Sequence, residues 1–95
     1  MTYNRHIPKD VCQKALDVWG KNAQILMVLE EMSELQKEIL KNINRGKDNI
    51  KEIAEETADV FIMLEQLVHI YGIDKEVQKQ AEHKVNCIKE RLKEK

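Results

Sequence analysis

Apolar residues recur at intervals of three and four along most of the chain, and no stretch alternates with a period of two over the length of a strand. Spacing of this kind places side chains on one face of an α-helix. The clearest stripe consists of Ile25, Val28, Leu29, Met32, Leu35, Ile39 and Ile43. The pattern therefore predicts an all-α protein without a β-sheet.

Three glycines stand 26 residues apart and separate the helical patterns: Gly20, Gly46 and Gly72. A glycine often follows the last turn of a helix, because it adopts the left-handed conformation without steric cost. Four helices are predicted, with these approximate bounds: Lys9–Trp19, Ala23–Asn44, Ile50–Tyr71 and Lys75–Lys93. Asn22 and Asn49 are the expected N-caps of the second and third helices, Asn49 as part of a capping box.

The third predicted helix is apolar nearly all round from Ala58 to Tyr71, which is typical of a helix buried on more than one side. At ~1.5 Å per residue this helix spans ~33 Å, about the width of a small domain. The 95 residues make one domain, residues 1–95, and a domain of that size does not cover such a helix by itself. We therefore expect a helical-bundle oligomer, either a homodimer or a homotetramer.

Composition excludes several classes of protein. The net charge of −1 does not favour a basic face for nucleic acid, and the apolar runs are too short and too interrupted for a membrane span. The first ten residues lack the apolar centre of a signal peptide. The two cysteines, Cys12 and Cys87, do not have the spacing of metal ligands. These features indicate a cytoplasmic protein with free thiols.

An acidic pattern on the second helix returns 25 residues later on the third. Its first copy contains Glu31 and Glu34, and its second contains Glu56 and Asp59. Carboxylates three residues apart project from one face of a helix, so two such helices side by side would gather all of them into one pocket. Converging negative charges repel unless they bind protons or a cation, and oxygen ligands suit Mg²⁺ or Mn²⁺. The sequence thus predicts a metal site between the second and third helices.

Two further observations bear on this site. Asp59 lies on the same side of its helix as Met63, within an otherwise apolar surface, where an unpaired carboxylate is costly. On the fourth helix, Lys84 and Arg91 follow one edge of the apolar stripe. Two cations at such an edge are suited to a polyanionic ligand such as a phosphate chain.

The paired motif, Glu31-x-x-Glu34 and, after 21 residues, Glu56-x-x-Asp59, resembles that of the MazG-type all-α nucleoside triphosphate pyrophosphohydrolases. The resemblance covers nearly the whole chain, including Trp19-Gly20, Gln24, the break at Gly46 and the apolar run 60–67. Within this family, the chain is similar above all to the short, single-domain members found in phages and prophages. The resemblance implies a four-helix fold and Mg²⁺-dependent hydrolysis of a (d)NTP to the (d)NMP and pyrophosphate. Its role would be cleansing of the nucleotide pool or phage nucleotide metabolism.

The resemblance also implies roles for individual residues. The metal ligands would be Glu31, Glu34, Glu56 and Asp59. One of the first two, Glu31 or Glu34, would take the proton of the attacking water. The substrate phosphates would contact Lys84 and Arg91, although Cys87 stands where the family pattern calls for a basic residue.

Base recognition is the remaining role that the resemblance implies. It assigns stacking on the base to Trp19 and hydrogen bonding to Gln24. For Trp19 the alternative, favoured by its size, is packing in the core.

Three other interpretations compete with this one. A ferritin-like di-iron bundle needs Glu-x-x-His on two helices, and the chain has none. A non-catalytic helical oligomerisation or binding module explains the amphipathic helices but not the acidic Asp59 on an apolar surface. A dUTPase or a phosphoribosyl-ATP pyrophosphohydrolase of the same superfamily remains the third alternative.

Overall fold

A computed structural model describes residues 5–94. This part of the chain contains four α-helices joined by short segments, and no strand. They are α1 (Lys9–Trp19), α2 (Lys21–Arg45), α3 (Ile50–Tyr71) and α4 (Asp74–Lys93). The all-α prediction is confirmed, and α1 and α3 have the predicted bounds. By contrast, α2 begins two residues earlier than predicted and ends one later, and α4 begins one earlier.

The glycines end the helices as predicted, but the cap predicted at Asn22 is wrong. Gly46 and Gly72 have φ of 60° and 63°, in the left-handed region. Gly20, with φ of 86°, is the single residue between α1 and α2, and its N–H donates to the carbonyl oxygen of Leu16. Because one glycine makes the whole turn, α2 starts at once and Asn22 lies inside its first turn.

Helices α2 and α3 form an antiparallel hairpin that contains most of the packing. Residues on the two helices meet in opposite order, since Glu38 contacts Asn49 near the turn while Gln24 contacts Gln66 at the far end. Helix α1 crosses that far end and contacts both partners. The buried apolar side chains of residues 5–94 are few and lie in these three helices: Cys12, Val28, Val60 and Met63. The hairpin is therefore the frame on which any site between α2 and α3 is built.

A buried asparagine locks the turn of the hairpin. The Asn49 side chain is fully buried, and its Nδ2 donates to the carbonyl oxygen of Glu38 at 2.8 Å and to Glu38 Oε1 at 3.0 Å. The expected capping box does not form, because Asn49 reaches back to α2 instead of bonding α3. Lys41 Nζ donates to Glu38 Oε2 at 2.9 Å. The bonds from Asn49 and then Lys41 lower the pKa of Glu38 below its usual 4.5.

The segment that precedes α1 is held against α3 by a buried carboxylate. Glu65 accepts bonds from the backbone N–H of His6 and of Ile7, and its Oε1 lies 2.6 Å from His6 Nδ1. Burial alone would raise the pKa of Glu65, but the bonds from His6 and Ile7 outweigh it and lower that pKa. The His6 ring also lies against Phe61, with centroids 5.1 Å apart. These contacts anchor His6 and Ile7 to the middle of α3.

Helix α4 stands apart from the hairpin. Of the other three helices it contacts only α3, near the turn at Gly72, and none of its residues is buried. Nowhere in the described range 5–94 is there a helix that combines the length and the apolar character needed to cross a membrane.

Candidate metal centre

Three of the four predicted ligands converge between α2 and α3. Glu56 and Asp59 lie one turn apart on α3, and Glu31 faces them from α2. One carboxylate oxygen from each lies within 4.8 Å of the other two. The antiparallel hairpin produces this cluster, because it sets the two copies of the acidic pattern side by side at mid-length.

Glu34 is not part of that close cluster. Its side chain is exposed, and its Oε2 lies 3.7 Å from Lys37 Nζ, one turn further along α2. The charge of Glu34 still reaches Glu31, where it is the smallest of the contributions that raise the pKa. The structure therefore brings three carboxylates together, with Glu34 at the margin, whereas the sequence predicted that all four would converge.

The cluster is electrostatically strained without a cation. Burial raises the pKa of Glu31 above its usual 4.5, and the charges of Asp59 and Glu56 and a hydrogen bond to Asp59 raise it further. Among the ion pairs that the structure shows for residues 5–94, none involves Glu31, Glu56 or Asp59. The negative charge of these three groups is thus concentrated but not balanced by a protein cation.

One oxygen of the cluster has no partner of any kind within the described chain. Glu56 Oε2 is buried and accepts no hydrogen bond. Leaving a buried acceptor unsatisfied costs about 1–3 kcal/mol, and more when the group is charged. A divalent cation would satisfy this oxygen and neutralise its neighbours, and three carboxylates are a suitable donor set for Mg²⁺ or Mn²⁺. The residues present therefore fit the metal that the sequence analysis predicted.

The predicted phosphate-binding residues lie on a different part of the molecule. Lys84 and Arg91 are exposed on α4, which does not contact α2. Within residues 5–94 the side chains of both make no hydrogen bond or ion pair, with the carboxylates or with any other residue. A single chain therefore does not assemble these two cations with the carboxylate cluster.

The two residues predicted to recognise the base lie in opposite environments. Trp19 is 62% exposed at the end of α1, so the alternative of packing in the core is wrong. Gln24 is only 3% exposed, and its Oε1 accepts a bond from Gln66 Nε2 at 2.9 Å. Trp19 is thus available for stacking, while Gln24 joins α2 to α3 inside the fold.

Sequence reasoning missed the buried polar residues that hold the frame. Gln66 donates to Gln24 and to the carbonyl oxygen of Cys12, and so connects all three packed helices. Glu65 and Gln66 are the polar pair inside an otherwise apolar run of α3. Polar residues in such a run need partners. That position is the signal that could have identified them.

Comparison of the chain with protein-family models gives no match, and comparisons with curated proteins and with solved structures give no significant match either.

Proposed function

We propose that this protein is a divalent-metal-dependent nucleoside triphosphate pyrophosphohydrolase of the MazG type. It would hydrolyse a (d)NTP to the (d)NMP and pyrophosphate. The observation that carries the proposal is the convergence of Glu31, Glu56 and Asp59 around a buried, unpartnered oxygen of Glu56. The resemblance of the paired acidic motif supplies the reaction.

In this proposal the carboxylates divide into two groups. Glu31, Glu56 and Asp59 hold Mg²⁺, which when bound neutralises charge on the triphosphate. Glu34 lies beside them, exposed, and its one ion pair among residues 5–94 is with the exposed Lys37. It is therefore the carboxylate free to accept the proton of the attacking water. This assignment chooses between the two residues that the sequence left open.

The remaining contacts of the substrate are assigned to side chains that are exposed to solvent. Trp19, with most of its indole in water, offers a stacking surface for the base. Lys84 and Arg91 would contact phosphates only if another part of the assembly carries them to the cluster.

Product analysis over a panel of nucleotides tests the proposal. The protein is incubated with each common NTP and dNTP, dUTP included, in Mg²⁺ and in EDTA, and the products are separated by anion-exchange chromatography. We expect the monophosphate and pyrophosphate, in Mg²⁺ only. Diphosphate with orthophosphate, or the same hydrolysis in EDTA, would contradict the reaction. Activity confined to dUTP would favour the dUTPase-like alternative.

A non-catalytic helical oligomerisation or binding module is the second candidate. The exposed apolar face of α4 favours it, because such a face needs a protein partner whether or not the chain is an enzyme. The product analysis separates the two candidates, since the module releases neither product with any nucleotide.

A further inference from the structure

A histidine and a cysteine lie next to each other on the polar side of α4. His83 Nε2 lies 3.7 Å from Cys87 Sγ, and residues four positions apart are neighbours on one face of a helix. His83 is exposed, and Cys87 is a half-buried free thiol. The spacing of the two cysteines does not reveal this pair, because the neighbour of Cys87 is a histidine.

The pair is separate from the other features of the molecule. The apolar residues of α4 lie on a different side of the helix: Val77, Ala81, Val85, Ile88 and Leu92. Helix α4 contacts neither α1 nor α2. His83 and Cys87 therefore do not belong to the carboxylate cluster between α2 and α3.

The distance between the two side chains matches the separation of two ligands on one metal ion. Zn²⁺ binds a thiolate sulfur at about 2.3 Å and an imidazole nitrogen at about 2.0–2.1 Å, in a tetrahedral arrangement. These lengths set the two ligand atoms about 3.5–3.6 Å apart. The observed 3.7 Å differs from that value by no more than about 0.2 Å, so one ion could join the pair without a change in the helix.

The chemistry of the two donors selects the ion. Thiolate is a soft ligand and imidazole suits Zn²⁺, whereas Mg²⁺ prefers the oxygen ligands that carboxylates offer. Zn²⁺ binds the thiolate, so the proton of the thiol passes to water when the ion enters. Within residues 5–94, the carboxylate cluster is the one group in which three His, Cys, Asp or Glu donors meet. The pair on α4 thus supplies two ligands, and water completes the coordination.

We propose that His83 and Cys87 form a Zn²⁺ site that joins two successive turns of α4. No residue of this helix is buried, and helices in proteins owe most of their stability to packing. An ion held by both turns restrains the helix where packing does not, so Zn²⁺ should stabilise α4. The site does not depend on the carboxylate cluster, and failure of the proposed reaction would leave this inference standing.

Protection of the Cys87 thiol is the first test. The protein is labelled with a maleimide in millimolar Mg²⁺ over a titration of Zn²⁺, and mass spectrometry identifies the labelled cysteine. Labelling of Cys87 should slow by a factor of 1 + [Zn²⁺]/Kd, which is about tenfold at ten times Kd. Labelling that is equally fast at every Zn²⁺ concentration overturns the proposal. Asp59→Asn should show the same protection as the wild type, and its loss there would contradict a separate site.

A relocated histidine is the matched control. His83→Asn combined with Asn86→His exchanges two residues and keeps the composition and charge of α4. Adjacent residues of a helix do not face each other, so the new histidine cannot share an ion with Cys87 and protection should be lost. Protection as strong as in the wild type would mean that Cys87 binds without its partner, and would overturn the pair.

Cadmium gives a direct readout of the sulfur ligand. Cd²⁺ bound to a thiolate has an ultraviolet charge-transfer absorption that Cd²⁺ bound to carboxylates lacks. The band should appear in the wild type and be absent in Cys87→Ser. His83→Gln should need at least about ten times more Cd²⁺, since loss of even an outer-shell partner weakens metal binding about 10–100-fold. A band that persists in Cys87→Ser would assign the sulfur to Cys12 and overturn the site.

Hydrogen exchange tests the effect of the ion on the helix. Saturating Zn²⁺ should slow the exchange of backbone amides in residues 79–91 of the wild type, because exchange reports local opening. The variant with the relocated histidine should exchange equally fast with and without Zn²⁺. Unchanged exchange in a wild type whose Cys87 is protected would contradict the stabilisation of α4.

Discussion

Replacing Asp59 by asparagine should change the stability of the protein in opposite directions with and without metal. Asparagine keeps the size of the side chain and removes one of three clustered negative charges. The carboxylate oxygens of the cluster lie no more than 4.8 Å apart. At that distance two like charges repel by about 1 kcal/mol in a water-like dielectric, and this dielectric is the suitable one because Asp59 is exposed. With two neighbours, Asp59→Asn should stabilise the metal-free protein by about 1–2 kcal/mol.

Metal reverses the effect. A cation that binds only the folded wild type stabilises it by about 2.7 kcal/mol at a concentration one hundred times Kd. The variant lacks one of three ligands and should gain little. The assay is urea denaturation at mildly alkaline pH, in EDTA and in millimolar Mg²⁺ or Mn²⁺. Glu55→Gln, an exposed carboxylate on α3 outside the cluster, is the matched control and should behave as the wild type in both conditions.

The gain in EDTA should also depend on pH. The pKa of Glu31 is raised in the fold, so its contribution to stability is present below its usual 4.5 and is lost as the pH rises through the folded value. In acid, Glu31 takes a proton and repels Asp59 less, and the advantage of Asp59→Asn should shrink. A variant that is less stable than the wild type in EDTA, or that keeps the full response to metal, would refute the reasoning.

Three other substitutions test separate parts of the account. Glu34→Gln should keep the stabilisation by Mg²⁺ and lose hydrolysis, which thermal melts and product assays on one preparation would measure. Loss of both would indicate that Glu34 is a metal ligand. Glu65→Gln removes the carboxylate that accepts bonds from His6 and should cost about 2–4 kcal/mol at neutral pH. Because the pKa of Glu65 is lowered, this contribution is present above 4.5 and lost in acid, so urea curves of variant and wild type should converge at low pH. Glu38→Ala leaves Asn49 Nδ2 bonded to the carbonyl oxygen of residue 38 but without its side-chain acceptor, so it should lower the melting temperature, and an unchanged melting temperature would contradict that role.

The helices and the core of the site could be predicted because both depend on local spacing. Apolar periodicity and terminal glycines define α1 and α3 to the residue, and the repeat of the acidic pattern places Glu31 opposite Glu56 once the hairpin is antiparallel. The start of α2 was missed because Asn22 is a good cap in general, whereas Gly20 alone makes this turn.

The rest of the site depends on tertiary geometry that spacing does not encode. Glu34 shares a face with Glu31 on the helix, but its position at the edge of the hairpin lets it reach Lys37 instead. The direction of α4 depends on a few contacts beyond Gly72, and it decides whether Lys84 lies near the carboxylates. Trp19 is exposed because α1 ends there, on the outside of the turn at Gly20.

The rate of pyrophosphate release by Asp59→Asn, measured beside the wild type and Glu55→Gln in saturating Mg²⁺, tests the central claim most directly. The account predicts pyrophosphate from the wild type and from Glu55→Gln at similar rates. It predicts a fall of about two orders of magnitude or more in kcat for Asp59→Asn, the scale expected when an electrostatic contact to the transition state is lost. Full activity of Asp59→Asn, or a wild type that releases orthophosphate alone, would contradict the claim that these carboxylates form the centre of a pyrophosphohydrolase.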